Sequence, residues 1–281
     1  MSESPTLQRQ IVLTGASSGI GKAAVRILAE QGAHVTLVCR DPAKGEAALR
    51  ELGAHAAQCR VVVGDLGSVA KVRALAKTLL DTCPRIDVLI NNAGVWMTEK
   101  VINDDGLEMS FMVNHLAPFL LTWLLLDRLE QSRPARIVNV NSGLYINGVL
   151  DLAKTPKGDD FGKLKSYANS KFCNMLATRE LAKRIEGTGI TVNALHPGVI
   201  RTNLGATGGA LGAVLRVAKL FWKSPESGGQ TVAHLALAPE LEGVSGRYFD
   251  CYKETPIIAR AQNDVLGREL WDLSERLAGL G

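Results

Sequence analysis

A repeated alternation of short β-prone runs with stretches of helical periodicity constrains this chain more than any other feature. Residues 10–13 are β-prone, residues 20–31 carry apolar side chains at helical spacing, and residues 33–38 are β-prone again. The unit then recurs. Asp41-Pro42 opens a helix expected to reach about Leu52, followed by a strand at 59–63, a helix at 68–82 and a strand at 86–90. A long helix is expected over 106–129, a fifth strand at 136–140, a sixth at 190–195 after the helix that carries Tyr167, and a seventh at Tyr248-Phe249. Strands that are apolar on both faces, each followed by a helix, imply a parallel sheet covered on both sides. No break in composition marks a second domain, so residues 1–281 are expected to form one α/β domain with about seven strands in a doubly wound sheet.

The first turn of that scaffold is Thr14-Gly-Ala-Ser-Ser-Gly-Ile-Gly21. Gly15, Gly19 and Gly21 permit a tight turn and close approach of a pyrophosphate, and the following helix offers unpaired N–H groups at Ser17, Ser18 and Ile20. A glycine-rich turn is often only a turn. Directly after a buried first strand it points to a Rossmann-type dinucleotide site, here with the spacing G-x-x-x-G-x-G. The second strand ends in Cys39-Arg40, where an NAD site usually places an acid. Arg40 can hold a ribose 2′-phosphate, which predicts NADP(H) over NAD(H), unless Arg40 merely pairs with Asp41 at the surface.

Tyr167 and Lys171 stand four residues apart in the segment Tyr167-Ala-Asn-Ser-Lys171, so on a helix they share a face. An ammonium held near a phenol favours the phenolate and lowers its pKa, giving a group that passes a proton to or from a substrate oxygen. A half-buried ring beside a solvated amine is the plainer meaning of the same spacing.

Composition removes several function classes. Charged residues make up 21% and the net charge is only +4, with lysines and arginines interleaved among acids, so no nucleic-acid surface is expected. Cys39, Cys59, Cys83, Cys173 and Cys251 are scattered, odd in number and free of a C-x-x-C pair, as expected of reduced thiols in a cytoplasmic protein. The five histidines show no ligand spacing, so no metal is expected. Residues 1–8 lack the apolar core of a secretory signal. The longest apolar run, 116–126, is interrupted by Pro118 and Thr122 and is too short to cross a bilayer, so no transmembrane span is expected.

Taken in order, Thr14 to Gly21, Asn91-Asn-Ala-Gly94, Asn114, Ser142, Tyr167-x-x-x-Lys171 and Pro197-Gly198 resemble the short-chain dehydrogenase/reductases over nearly the whole chain. Val113-Asn-His-Leu116, Arg136-Ile-Val-Asn-Val140 and Leu195-His-Pro-Gly198 are most similar to the retinol dehydrogenase-like branch. The resemblance implies an oxidoreductase in which Tyr167 is the general acid/base, Lys171 tunes it and binds the nicotinamide ribose, Ser142 bonds the substrate oxygen and Asn114 holds a proton relay. It implies cofactor contacts from Asp65 and Leu66 to the adenine, from Asn91, Ala93 and Gly94 along the adenosine side, and from Pro197, Gly198, Val199 and Thr202 to the nicotinamide amide. Asp65 and Ser142 could instead be caps, Asn114 a buried polar bridge and Pro197-Gly198 a turn. Asn141 stands where the family often has a first serine, and residues 150–165 lengthen the Ser142 to Tyr167 spacing.

Residues 203–224 combine Gly208-Gly209 with Leu211, Val214, Leu215, Ala218, Phe221 and Trp222 near helical spacing and with Arg216, Lys219 and Lys223 between them. Three expectations fit this segment: a lid over a lipophilic substrate, a basic amphipathic helix in peripheral contact with a membrane, and a plain surface helix. A retinoid- or steroid-like aldehyde or ketone suits an apolar lid. The helices at 106–129 and 167–185 are, by the resemblance, a dimerisation surface, so homodimer and monomer both stay open. A protein that binds NADP as a sensor or scaffold without turnover is the alternative from another class.

Overall fold

The structure is a computed structural model describing residues 8–198 and 224–280. Parallel strands β1 (Gln10–Thr14), β2 (His34–Cys39), β3 (Cys59–Val63), β4 (Val88–Asn91), β5 (Ala135–Val140), β6 (Ile190–His196) and β7 (Tyr248–Asp250) form one sheet, to which β8 (Lys253–Glu254) adds an antiparallel edge. The order is β3-β2-β1-β4-β5-β6-β7-β8. The chain therefore reverses its direction of travel between β1 and β4, leaving a crevice at the carboxyl ends of those strands.

Alternation along each strand explains why both faces are covered. Ile11 and Leu13 of β1 pack into one core while Val12 between them packs into the other; Val88 and Ile90 oppose Leu89 in β4 in the same way. The first core is closed by helices α1 (Gly19–Glu30), α2 (Pro42–Arg50) and α6 (Pro225–Leu237), and the second by α3 (Val69–Thr82), α4 (Met109–Gln131), α5 (Lys163–Arg184) and α7 (Asp264–Ala278). Leu13, Leu37, Leu89 and Leu120 are wholly buried, each contributing about 2 kcal/mol through apolar burial. Helix starts follow their side chains. Asp41 accepts from the Lys44 N–H with Pro42 next to it, Ser68 from Lys71, and Asn263 from Val265 and Leu266.

Three features depart from expectation. β8, a two-residue edge, makes eight strands, and the amphipathic helices α6 and α7 complete the two layers. Helix α4 starts at Met109, three residues later than expected, because Gly106 adopts φ +75° and the Glu108 carboxylate caps the helix by accepting from the Phe111 N–H. Pro118 and Thr122 do not interrupt it. Pro118 follows a π turn at Met112–Leu116 and is accommodated near the start of the next α-helical stretch. The helix is 23 residues long and contains an 18-residue window of mean hydropathy 1.5, long and apolar enough to cross a membrane by those two measures, and 72% of that window is buried inside the protein.

Candidate active site

Two loops meet at the crevice. Gly15 has φ +68° and Gly19 φ +54°, values that favour glycine. A Cβ on Gly21 would lie 2.2 Å from the Gly15 carbonyl oxygen, and one on Gly15 would lie 2.8 Å from the Ala93 Cα. The turn after β1 is therefore folded tightly on itself and against the loop after β4. Thr14 and Asn92 fasten that contact. The Thr14 hydroxyl accepts from the N–H groups of Asn92 (3.0 Å) and Ala93 (3.1 Å), and the Asn92 amide donates to the carbonyls of Thr14 (2.8 Å) and Gly15 (3.2 Å). Neither residue stood out in the sequence as a site residue, although both lie inside the motifs. Ser18 heads α1 without a side-chain capping bond, and Ser17, Gly19 and Ile20 surround the same helix start.

Beside this turn, Arg40 is exposed at the end of β2 and makes no ion pair among the described residues. The surface pairing with Asp41 is not formed. Asp41 caps α2 and lies 3.8 Å from the Lys44 ammonium. Asp65 accepts from the Gly67 N–H (3.0 Å) and pairs with Lys71 (2.8 Å). Partial burial opposes its ionisation, yet Lys71 and Gly67 outweigh that and hold its carboxyl below the usual range. Leu66 packs its side chain into the core, so any cofactor contact there falls to its backbone. The Asn91 amide donates to Thr122 (3.1 Å) and Asn139 (2.9 Å), tying β4 to β5 and α4.

The four residues expected to carry chemistry converge. Ser142 follows β5 and accepts from the Leu144 N–H (3.2 Å), while Tyr167 and Lys171 project from α5. Asn114, inside the π turn of α4, is a buried bridge: its oxygen accepts from the Val95 N–H (2.8 Å), and its amide donates to the Val95 carbonyl (2.8 Å) and the Ser170 hydroxyl (2.9 Å). Ser170 in turn donates to the Tyr167 carbonyl (2.7 Å). Asn141 is also occupied. It donates to the Lys171 carbonyl (3.1 Å) and Asn174 (3.2 Å) and receives the Ser142 N–H (2.7 Å), which fixes Ser142 against α5.

The electrostatics differ from the expected lowering of the Tyr167 pKa. Burial pushes the Tyr167 phenol above its ordinary value, with a hydrogen bond to Ser142 easing it back only in part. The Lys171 ammonium donates to the Val140 carbonyl (2.8 Å) and sits 5.9 Å from the Tyr167 ring centroid rather than on its hydroxyl. Burial drops Lys171 itself to about 8. A Cβ on Gly94 would stand 3.3 Å from the Asn114 oxygen and 3.6 Å from the Lys171 ammonium, so the absence of a side chain leaves the approach to Lys171 open. Gly15 and Gly21 thus let the β1 turn close as a Rossmann-type dinucleotide site requires, and Gly94 stands beside Lys171. Pro197 and Gly198, the latter at φ +95°, end the described part of the β6 loop. Val199, Thr202 and the segment 203–223 lie outside the described residues. Among those described, no His/Cys/Asp/Glu group has metal-holding geometry.

A doubly wound sheet with a glycine-rich first turn and a Ser–Tyr–Lys cluster at its carboxyl edge defines a nucleotide-dependent oxidoreductase. The family model for short chain dehydrogenase matches residues 9–209. The chain belongs to that family. Within it the chain falls in the retinol dehydrogenase-like branch: it is 43% identical to retinol dehydrogenase 14 of Homo sapiens, over 97% of this chain and 87% of that one. It is also 41% identical to retinol dehydrogenase 12 of Mus musculus, over 96% and 86%. Among solved structures, a protein from Mycobacterium paratuberculosis superposes with a TM-score of 0.76 at 30% identity, covering 97% of this chain and 94% of that one. A blue fluorescent protein from a metagenomic library in complex with NADPH has a TM-score of 0.68 at 27% identity, with 86% and 95% covered.

Proposed function

We propose that this protein interconverts a lipophilic aldehyde or ketone, retinoid- or steroid-like, and its alcohol, with NADP(H) as the hydride partner. The observation that carries this reading is the buried meeting of Ser142, Tyr167 and Lys171 beside the crevice whose glycine-rich turn is closed tightly against the loop after β4. The bound nicotinamide would supply or accept hydride at the substrate carbon. Ser142 would donate a hydrogen bond to the substrate oxygen, and Tyr167 would transfer the proton to it. The proton passes from the phenol in reduction and to it in oxidation, so the same geometry serves both directions. Lys171, within reach of the opening at Gly94, would hold the cofactor's ribose, and Asn114 would keep Lys171's surroundings polar.

The names of the similar retinol dehydrogenases support the lipophilic substrate class, and the exposed Arg40, without an ion pair among the described residues, supports NADP. Five free thiols support a reducing, cytoplasmic setting. Nicotinamide oxidation followed with NADPH and with NADH, against retinal, a steroid ketone and simpler lipophilic carbonyls, tests the reading. Turnover preferring NADPH is expected. Tight NADPH binding with no turnover across the panel would favour a sensor or scaffold instead.

A further inference from the structure

Trp96, two residues beyond Gly94, lies flat on the Tyr167 ring: the centroids are 5.0 Å apart and the planes differ by 18°. Its indole N–H donates to the Lys163 carbonyl at 2.7 Å. That carbonyl is one helical turn before Tyr167 and, in the α-helical pattern, also receives the Tyr167 backbone N–H. One side chain therefore grips both the ring and the backbone turn that carries it. The turn needs such a hold, because α5 opens at Gly162 with no side-chain cap of its first N–H groups. Asn114 bonds the Ser170 hydroxyl, which donates to the Tyr167 carbonyl within the helix; these bonds reach the backbone of Tyr167, whereas Trp96 covers its ring.

We infer that Trp96 is a positioning residue for Tyr167, holding the phenol in one orientation and shielding its ring from water. The inference rests on the functional reading above, in which Tyr167 moves the proton. Lys171 is the charged group beside the phenol, on the same helix, and Ser142 is its neutral partner from the loop after β5. From the segment of Trp96 itself, Glu99 and Lys100 are exposed, and Lys100 pairs with Asp159 at 3.4 Å.

Two substitutions separate the elements of this grip. Trp96→Phe keeps a stacking ring and loses the N–H bond; Trp96→Leu keeps apolar bulk and loses the stack. Ultraviolet titration of each, with the matching Tyr167→Phe double variant subtracted, reads ionisation of Tyr167 alone and needs no cofactor. In Trp96→Leu water reaches the ring, and Tyr167 is expected to titrate lower by about half a pH unit or more. With NADPH and the best carbonyl substrate, kcat is expected to fall about ten-fold or more through misorientation, with the NADPH dissociation constant within about two-fold of the parent. Trp96→Phe should recover most of both. An unmoved titration or an unchanged kcat in Trp96→Leu overturns the inference. If Tyr167→Phe alone retains turnover, the proposed proton transfer fails, and the titration by itself still decides whether Trp96 governs the phenol.

Discussion

Lys171 shows how a residue can serve chemistry at the expense of stability. Its folded pKa of about 8 lies below the unfolded value of 10.5, so the folded state binds its proton less readily. The resulting cost is complete below pH 8, where both states are charged, and vanishes above pH 10.5, where neither is. Lys171→Met is therefore expected to raise the unfolding free energy at pH 7 by about 1–3 kcal/mol while abolishing turnover. Chemical denaturation and an activity assay on the same preparation check both halves, and a less stable variant would contradict the burial argument. Arg40 offers a separate residue-level test. Arg40→Asp should shift the ratio of NADPH to NADH efficiency toward NADH by about ten-fold or more, as loss of a charge-assisted phosphate contact requires; an unchanged ratio would assign phosphate recognition elsewhere. The convergence of Asn114, Ser142, Tyr167 and Lys171 was legible because each sits in a local motif. The two asparagines of one motif look alike in the sequence, and only the geometry shows that the first faces Asn139 while the second ties the loops.

At the scale of elements, α7 joins the α4–α5 pair through a buried polar and aromatic seam. His115 in the π turn bonds Ser274 (2.9 Å), Phe119 meets Trp271 edge-on at 4.7 Å, and the Arg184 guanidinium lies 4.5 Å from the Trp271 ring. His115 is fully buried, and its pKa falls from 6.5 to about 3. Below pH 6.5 the unfolded chain takes up a proton that the folded chain refuses, so stability is lost as pH falls, by up to about 1.4 kcal/mol per pH unit. Thermal unfolding between pH 6.5 and 5 should show a shallower pH dependence in His115→Gln than in the parent, and equal slopes would mean that His115 is protonated within the fold. The strands and first helices were legible from period alone. The C-terminal elements were less so: β8 is too short to show alternation, and the π turn is set by packing between α4 and its neighbours rather than by any local preference. Helix α7 did carry a signal, with Asn263 before it, Gly279 after it and apolar residues at helical spacing between.

For the whole molecule, α7 matters because it lies on the helices that the family resemblance marks as a dimerisation surface. Asp264 binds Arg179 (3.3 Å) and Lys183 (2.6 Å) of α5 and fastens the start of that cover. Trp123 stays 38% exposed at its edge, leaving much less apolar area than a bare α4–α5 face would offer. We expect a monomer of about 30 kDa, the mass of the single chain, in sedimentation at micromolar concentration; a stable dimer would place the contact on another face. At the crevice, the deciding comparison is of NADPH-dependent carbonyl reduction by the parent and by Tyr167→Phe, with NADPH affinity determined for each. Tyr167→Phe is expected to bind NADPH within a few-fold of the parent and to lose turnover by about a thousand-fold or more. Turnover equal to the parent's would contradict it.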